Sequence, residues 1–120
     1  MTNRILLVED DAATRTLLAS TLTDMGYSVI STAGGDEALR FLYAEESCDL
    51  VLSDVMMPGM SGIELAQRTR DARPGLPLVF MTGLPNAIDI ALDHGVLPLP
   101  KPFTRGDLAS ILDDALSQAS

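Results

Sequence analysis

The sequence predicts a single α/β domain built on a five-stranded, parallel, doubly wound sheet of (βα)5 type with helices on both faces. Three observations predict it. Apolar runs and helical patterns alternate five times along the 120 residues, the runs are continuous, and no repeat, linker or low-complexity tract separates them. Continuous apolar runs fit strands buried on both faces, and strand–helix alternation fits parallel strands joined by crossover helices. A chain of this length buries a core without disulfides or a structural metal. With 47% hydrophobic residues but only 4% aromatic ones, that core must be aliphatic.

Each element has a local cause. Ile5-Leu6-Leu7-Val8 reads as the first strand. Asp11 is placed to cap a helix from about Ala12 to Asp24, with Leu18, Leu22 and Met25 as its core stripe and Gly26 as its stop. Tyr27 to Ser31 reads as the second strand, and Gly34-Gly35 turns the chain into a helix over about Asp36–Ala44. Leu50-Val51-Leu52 is the third strand, ending at Ser53-Asp54. The Pro- and Gly-punctuated stretch from Met56 to Gly62 is a loop, followed by a helix from Ile63 to about Ala72 that Pro74-Gly75 stops. Leu78 to Met81 is the fourth strand, ending at Thr82-Gly83, and a short helix over Asn86–Asp93 closes at Gly95. The fifth strand is brief, about Val96–Leu99, and Asp107 lies early in a last helix reaching about Ser117.

Charge narrows the function. Seventeen acidic against eight basic side chains give a formal net charge of -9, which repels phosphate backbones and anionic lipid, so neither nucleic acid nor a membrane is expected as a partner of this domain alone. Cys48 is the one cysteine, so no internal disulfide forms; a reducing, cytoplasmic setting is expected, with Cys48 as a small core residue. The first apolar run is too short for a membrane span or a secretion signal.

In open parallel α/β sheets, sites form beyond the carboxyl ends of the strands. Here the first strand ends in Glu9-Asp10-Asp11, the third in Asp54, the fourth in Thr82 and the fifth near Lys101. Taken singly, each has an ordinary reading: an Asp after a strand caps a helix, as Asp11 can, a Thr ends a strand, and a Lys is a surface charge. Together they deliver carboxylates, a hydroxyl and an ammonium to one edge. Adjacent acids repel, and holding Glu9 and Asp10 near Asp54 calls for a cation between them; an all-oxygen set suits Mg2+.

The segments Leu7-Val8-Glu9-Asp10-Asp11, Ser53-Asp54-Val55-Met56-Met57-Pro58, Met81-Thr82-Gly83 and Lys101-Pro102-Phe103 resemble, in order and over essentially the whole chain, the motifs of bacterial two-component response-regulator receiver domains. The resemblance implies a flavodoxin-like fold with strand order 2-1-3-4-5 and one receiver domain over residues 1–120. It implies that Asp54 is the phosphoacceptor, taking a phosphoryl group from a phosphohistidine on a histidine kinase or histidine phosphotransferase. Glu9, Asp10, an Asp54 oxygen and the backbone carbonyl of Met56 would then hold Mg2+. Lys101 would pair first with Asp54 and then with a phosphoryl oxygen, the Thr82 hydroxyl would follow the phosphoryl group, and Lys101-Pro102 would be cis. Such a domain is not an enzyme beyond its own phosphorylation and dephosphorylation. It signals to a downstream protein target that the sequence does not identify, as a monomer or weak dimer, and the Met1 start favours a stand-alone regulator over a receiver excised from a hybrid kinase.

The sequence also departs from that pattern. Many receivers carry an aromatic residue three positions before the lysine; here that position is Pro98, whose ring cannot make the reporting rotation. Pro98 and Pro100 lack donors on the same side of their strand, which is tolerable on an outer edge. Met56 and Leu84 are expected to flank the acyl phosphate, and being apolar they orient water poorly, so slow-to-moderate self-dephosphorylation is expected. His94 reads as a partly exposed residue at a helix end. Three other classes fit the residues less well. A haloacid-dehalogenase-type phosphatase needs a second Asp where Met56 stands, and a nucleotide-binding module needs a Gly-rich phosphate loop that is lacking. A phosphorylation-independent pseudo-receiver is opposed by the presence of Glu9, Asp10, Asp54, Thr82 and Lys101.

Overall fold

The computed structural model describes residues 2–118 apart from 45, 58 and 84. Its strands are β1 (Arg4–Val8), β2 (Ser28–Thr32), β3 (Leu50–Asp54), β4 (Leu78–Thr82) and β5 (Leu97–Pro100). They pair in parallel in the order β2-β1-β3-β4-β5, as expected. The helices are α1 (Ala12–Asp24), α2 (Gly35–Tyr43), α3 (Gly62–Ala72), α4 (Pro85–Asp93) and α5 (Arg105–Gln118).

Successive strand side chains point to opposite faces, so one apolar run feeds two cores. Leu6, Val8, Val51, Leu78 and Phe80 pack with buried residues of α2, α3 and α4. Ile5, Leu7, Leu50, Leu52, Val79 and Met81 pack with those of α1 and α5 on the other face. The continuous runs in the sequence are thus explained by a sheet covered on both sides.

Caps set the helix ends. The Asp11 carboxylate accepts from the Thr14 N–H at 2.9 Å and its hydroxyl at 2.6 Å, starting α1. The Ser61 hydroxyl accepts from the Glu64 N–H at 3.2 Å, starting α3. Arg73 reaches from the end of α3 to the Leu42 carbonyl near the end of α2, at 3.0 Å.

Two strand starts fall one residue later than the sequence suggests, for one reason. Gly26 and Gly95 have φ of 99° and 69°. The next residue turns its N–H back onto the preceding helix, Tyr27 to the Leu22 carbonyl at 3.1 Å and Val96 to the Ala91 carbonyl at 2.8 Å. Those donors close helices in Schellman fashion, so β2 begins at Ser28 and β5 at Leu97. At β5 the Lys101 N–H donates to the Thr82 carbonyl at 2.7 Å. The alternation this sets turns Pro98 and Pro100 away from β4, on the free edge where no ladder donor is missed.

Cys48 is half-buried against the α2–α3 side core; its thiol donates to the Leu50 carbonyl at 3.2 Å, and burial pushes its pKa up. His94 is half-buried just past α4. Among the described residues, no helix is long and apolar enough to cross a membrane. On α3 the Thr69 hydroxyl is fully buried and finds no hydrogen-bond partner among the described residues. Replacing it with an isosteric methyl removes an uncompensated desolvation cost. Thr69→Val is therefore expected to stabilise the protein by about 1 kcal/mol, read as a higher urea midpoint at unchanged slope.

Candidate functional site

Three neighbouring strand pairs converge at one edge. Val8 of β1 lies beside Ser53 of β3, Asp54 beside Met81 of β4, and Thr82 beside Pro100 of β5. The residues at or just beyond these ends therefore share a crevice: Glu9 and Asp10, Asp54, Thr82, and Lys101. This crevice lies between β1 and β3, where the connection after β1 runs one way to β2 and the connection after β3 runs the other way to β4, the place where α/β sheets open.

The Lys101 Nζ donates to Asp54 Oδ2 at 3.0 Å, with the Asp54 side chain 14% exposed. Asp54 Oδ1 accepts the Met56 N–H at 3.2 Å. One carboxylate oxygen each from Glu9, Asp10 and Asp54 lies within 4.8 Å of the others. Glu9 is buried and Asp10 exposed. Thr82 is buried at the end of β4, and the Lys101–Pro102 peptide is cis. Met56 is 64% exposed, so it does not shield the crevice from water. Leu84, expected on the other flank, and Pro58 of the loop motif lie outside the described residues.

Burial is the largest influence on Glu9 and pushes its pKa up to about 7. The charge of Asp54 and a hydrogen bond with it act in the same direction, Asp10 adds to them, and Lys101 opposes. Glu9 Oε2 is buried without a hydrogen-bond partner. A buried, orphaned carboxylate oxygen beside two further carboxylates is a donor set short of positive charge, and oxygen-only donors fit a hard divalent cation such as magnesium.

The sequence reading singled out neither Gly62 nor Arg15, and both bear on the site. A Cβ at Gly62 would lie 2.9 Å from the Asp54 carbonyl oxygen and 2.9 Å from Val55 Cα. The Gly62 N–H donates to the Val55 carbonyl at 3.0 Å, so the start of α3 rests directly on the backbone that carries Asp54. A glycine opening a helix carries no such signal in sequence. The Arg15 guanidinium reaches back from α1 to the Glu9 carbonyl at 2.8 Å.

Two outcomes follow from this geometry. Gly62→Ala forces backbone apart beside Asp54 and should cost about 1–3 kcal/mol, measured by urea unfolding. In cation-free protein, Glu9 titrates near 7 when folded against its ordinary 4.5. Between those values the folded state holds a proton that the unfolded state has released, so stability falls as pH rises from about 5 through 7. Thermal melts across that range should show the fall, saturating Mg2+ should flatten it by drawing the folded Glu9 pKa back down, and Glu9→Gln should remove it.

Comparison with known proteins agrees with this architecture. The family model described as "Response regulator receiver domain" matches residues 5–113. The transcriptional regulatory protein GlrR of Escherichia coli is 38% identical over 97% of this chain, which spans only 27% of that relative. The response regulator receiver protein CpdR of Brucella abortus is 37% identical over 97% of this chain and 98% of its own length. Among solved structures, the chemotaxis protein CheY4 of Vibrio cholerae superposes with a TM-score of 0.86 at 30% identity, covering 97% of this chain and 100% of that one. A CheY-like receiver domain protein from Methanospirillum hungatei gives a TM-score of 0.90 at 29% identity, covering 99% and 97%. Fold, family model and relatives agree, and the chain belongs to the response regulator receiver domain family.

Proposed function

We propose that the 120 residues form one receiver domain that accepts a phosphoryl group on Asp54 from a phosphohistidine of a histidine kinase or histidine phosphotransferase. The observation that carries this reading is the Asp54 carboxylate, one oxygen 3.0 Å from Lys101 Nζ and grouped with oxygens of Glu9 and Asp10. Asp54 lies at the mouth of the crevice, half-buried, where an incoming phosphohistidine can reach it.

An Asp54 oxygen attacks phosphorus, the bond from phosphorus to the histidine nitrogen breaks, and its electron pair returns to the imidazole. Little else is asked of the protein than to position the partners and to balance charge on the phosphoryl oxygens. Glu9, Asp10, Asp54 and the Met56 carbonyl are the groups that would hold magnesium, which when bound supplies positive charge to those oxygens. Lys101 moves its hydrogen bond from Asp54 to a phosphoryl oxygen, and the Thr82 hydroxyl gives another. The exposed, apolar Met56 neither orients water nor supplies a base, which supports slow-to-moderate self-dephosphorylation.

The downstream target is a protein, reached from a cytoplasmic location and by a route other than rotation of an aromatic residue in β5, since Pro98 fills that position. The acidity of the domain disfavours direct contact with nucleic acid or lipid.

Beryllofluoride, which mimics a phosphoryl group on a carboxylate, tests the assignment. With Mg2+ present and the mimic at about 100 times its dissociation constant, the native protein should gain about 2.7 kcal/mol of stability. Asp54→Ala should show no gain. An equal gain in both proteins would sink the assignment.

A further inference from the structure

The geometry points to Arg15 as a positioning residue for the acidic cluster, acting on the backbone of Glu9 and Asp10 rather than on their charges. The inference rests on the reading of that cluster as a magnesium site.

Consecutive side chains leave an extended chain on opposite sides, so Glu9 and Asp10 cannot both approach Asp54 unless the backbone turns between them. It does so just beyond the end of β1 at Val8. One side of Glu9 is tied to the sheet, its N–H donating to the Thr32 carbonyl at 3.1 Å. The other side is tied to α1: Arg15 Nη1 donates to the Glu9 carbonyl at 2.8 Å and reaches the Asp10 carbonyl at 3.5 Å. Arg15 stands one turn beyond Asp11, whose side chain caps the same helix, so helix start and acidic turn are fixed as one unit. Arg15 is half-buried, its reach spanning five and six residues back along the chain.

This clamp has something to resist. Three carboxylates within 4.8 Å repel one another and push the turn outward when no cation balances them. Lys101, just beyond β5, is a cation that acts on Glu9; Arg15 is directed at carbonyl oxygens. Partners that orient metal-binding groups without touching the ion typically change metal affinity by about 10–100-fold when removed.

The test separates position from charge because the two predict opposite signs. Removing a cation near the site would tighten Mg2+ binding if Arg15 acted through charge, and weaken it if Arg15 holds the turn. Magnesium dissociation constants, read from amide NMR shifts of residues around Glu9 and Asp54, should rise about tenfold in Arg15→Gln. Arg15→Lys, which keeps the charge but is too short to bring a donor to where Nη1 meets both carbonyls, should be impaired in the same direction. Circular dichroism melts show whether each variant is folded at the titration temperature. Unchanged or tighter Mg2+ binding in a folded Arg15→Gln, or full rescue by Arg15→Lys, would overturn the inference. A native protein that binds no Mg2+ would overturn the cation reading itself, an outcome distinct from native binding that the variants share.

Discussion

Three carboxylates at one edge of the sheet make an arrangement that nothing among the described residues fully compensates, and much of the local structure is organised around it. Glu9 is buried with one oxygen unpartnered, beside Asp54 and close to Asp10. The Lys101–Asp54 contact at 3.0 Å offsets part of this charge, and burial and repulsion still push Glu9 far above the ordinary range of a carboxyl group. A site strained in this way stores an affinity for positive charge, and a phosphoryl group transferred into it needs that charge.

The sheet is what brings the acids together. Its strand order places β1 next to β3 although α1, β2 and α2 intervene in sequence, so Glu9 and Asp54 meet across a distance of many residues. The two cores hold this edge rigid, because β1, β3 and β4 are almost wholly buried and cannot slide without turning apolar side chains outward. The contact of Gly62 with the backbone of Asp54 and Val55 adds a further constraint, since α3 can lie so close only without a side chain at that position.

At the far side of the crevice, β5 combines two demands. It must present Lys101 to Asp54, and it must end the sheet. The Lys101 N–H bonded to the Thr82 carbonyl achieves the first, and the outward Pro98 and Pro100 achieve the second by removing donors that another strand could use. The same prolines take the place of a rotatable aromatic ring, so the strand that carries the lysine is stiffer than an aromatic residue there would leave it.

The alternation of elements, the double burial of the sheet, and the placing of Glu9, Asp10, Asp54, Thr82 and Lys101 at the strand ends can all be read from the residues in order. These are legible because periodicity and caps are local, and because the motif residues fall where local pattern already ends a strand. The starts of β2 and β5 fall one residue later than local pattern indicates, since Tyr27 and Val96 look like strand residues and only the folded chain shows their N–H groups closing helices. Arg15 and Gly62 were invisible for a related reason. An arginine in a first helical turn and a glycine at a helix start are commonplace in sequence, and their roles depend on which backbone lies opposite. Tertiary structure alone decided that one faces the Glu9 carbonyl and the other the Asp54 backbone, because close approach between distant segments is a property of packing. It also decided that Glu9, rather than Asp10, is the buried acid, and that this burial pushes the Glu9 pKa up.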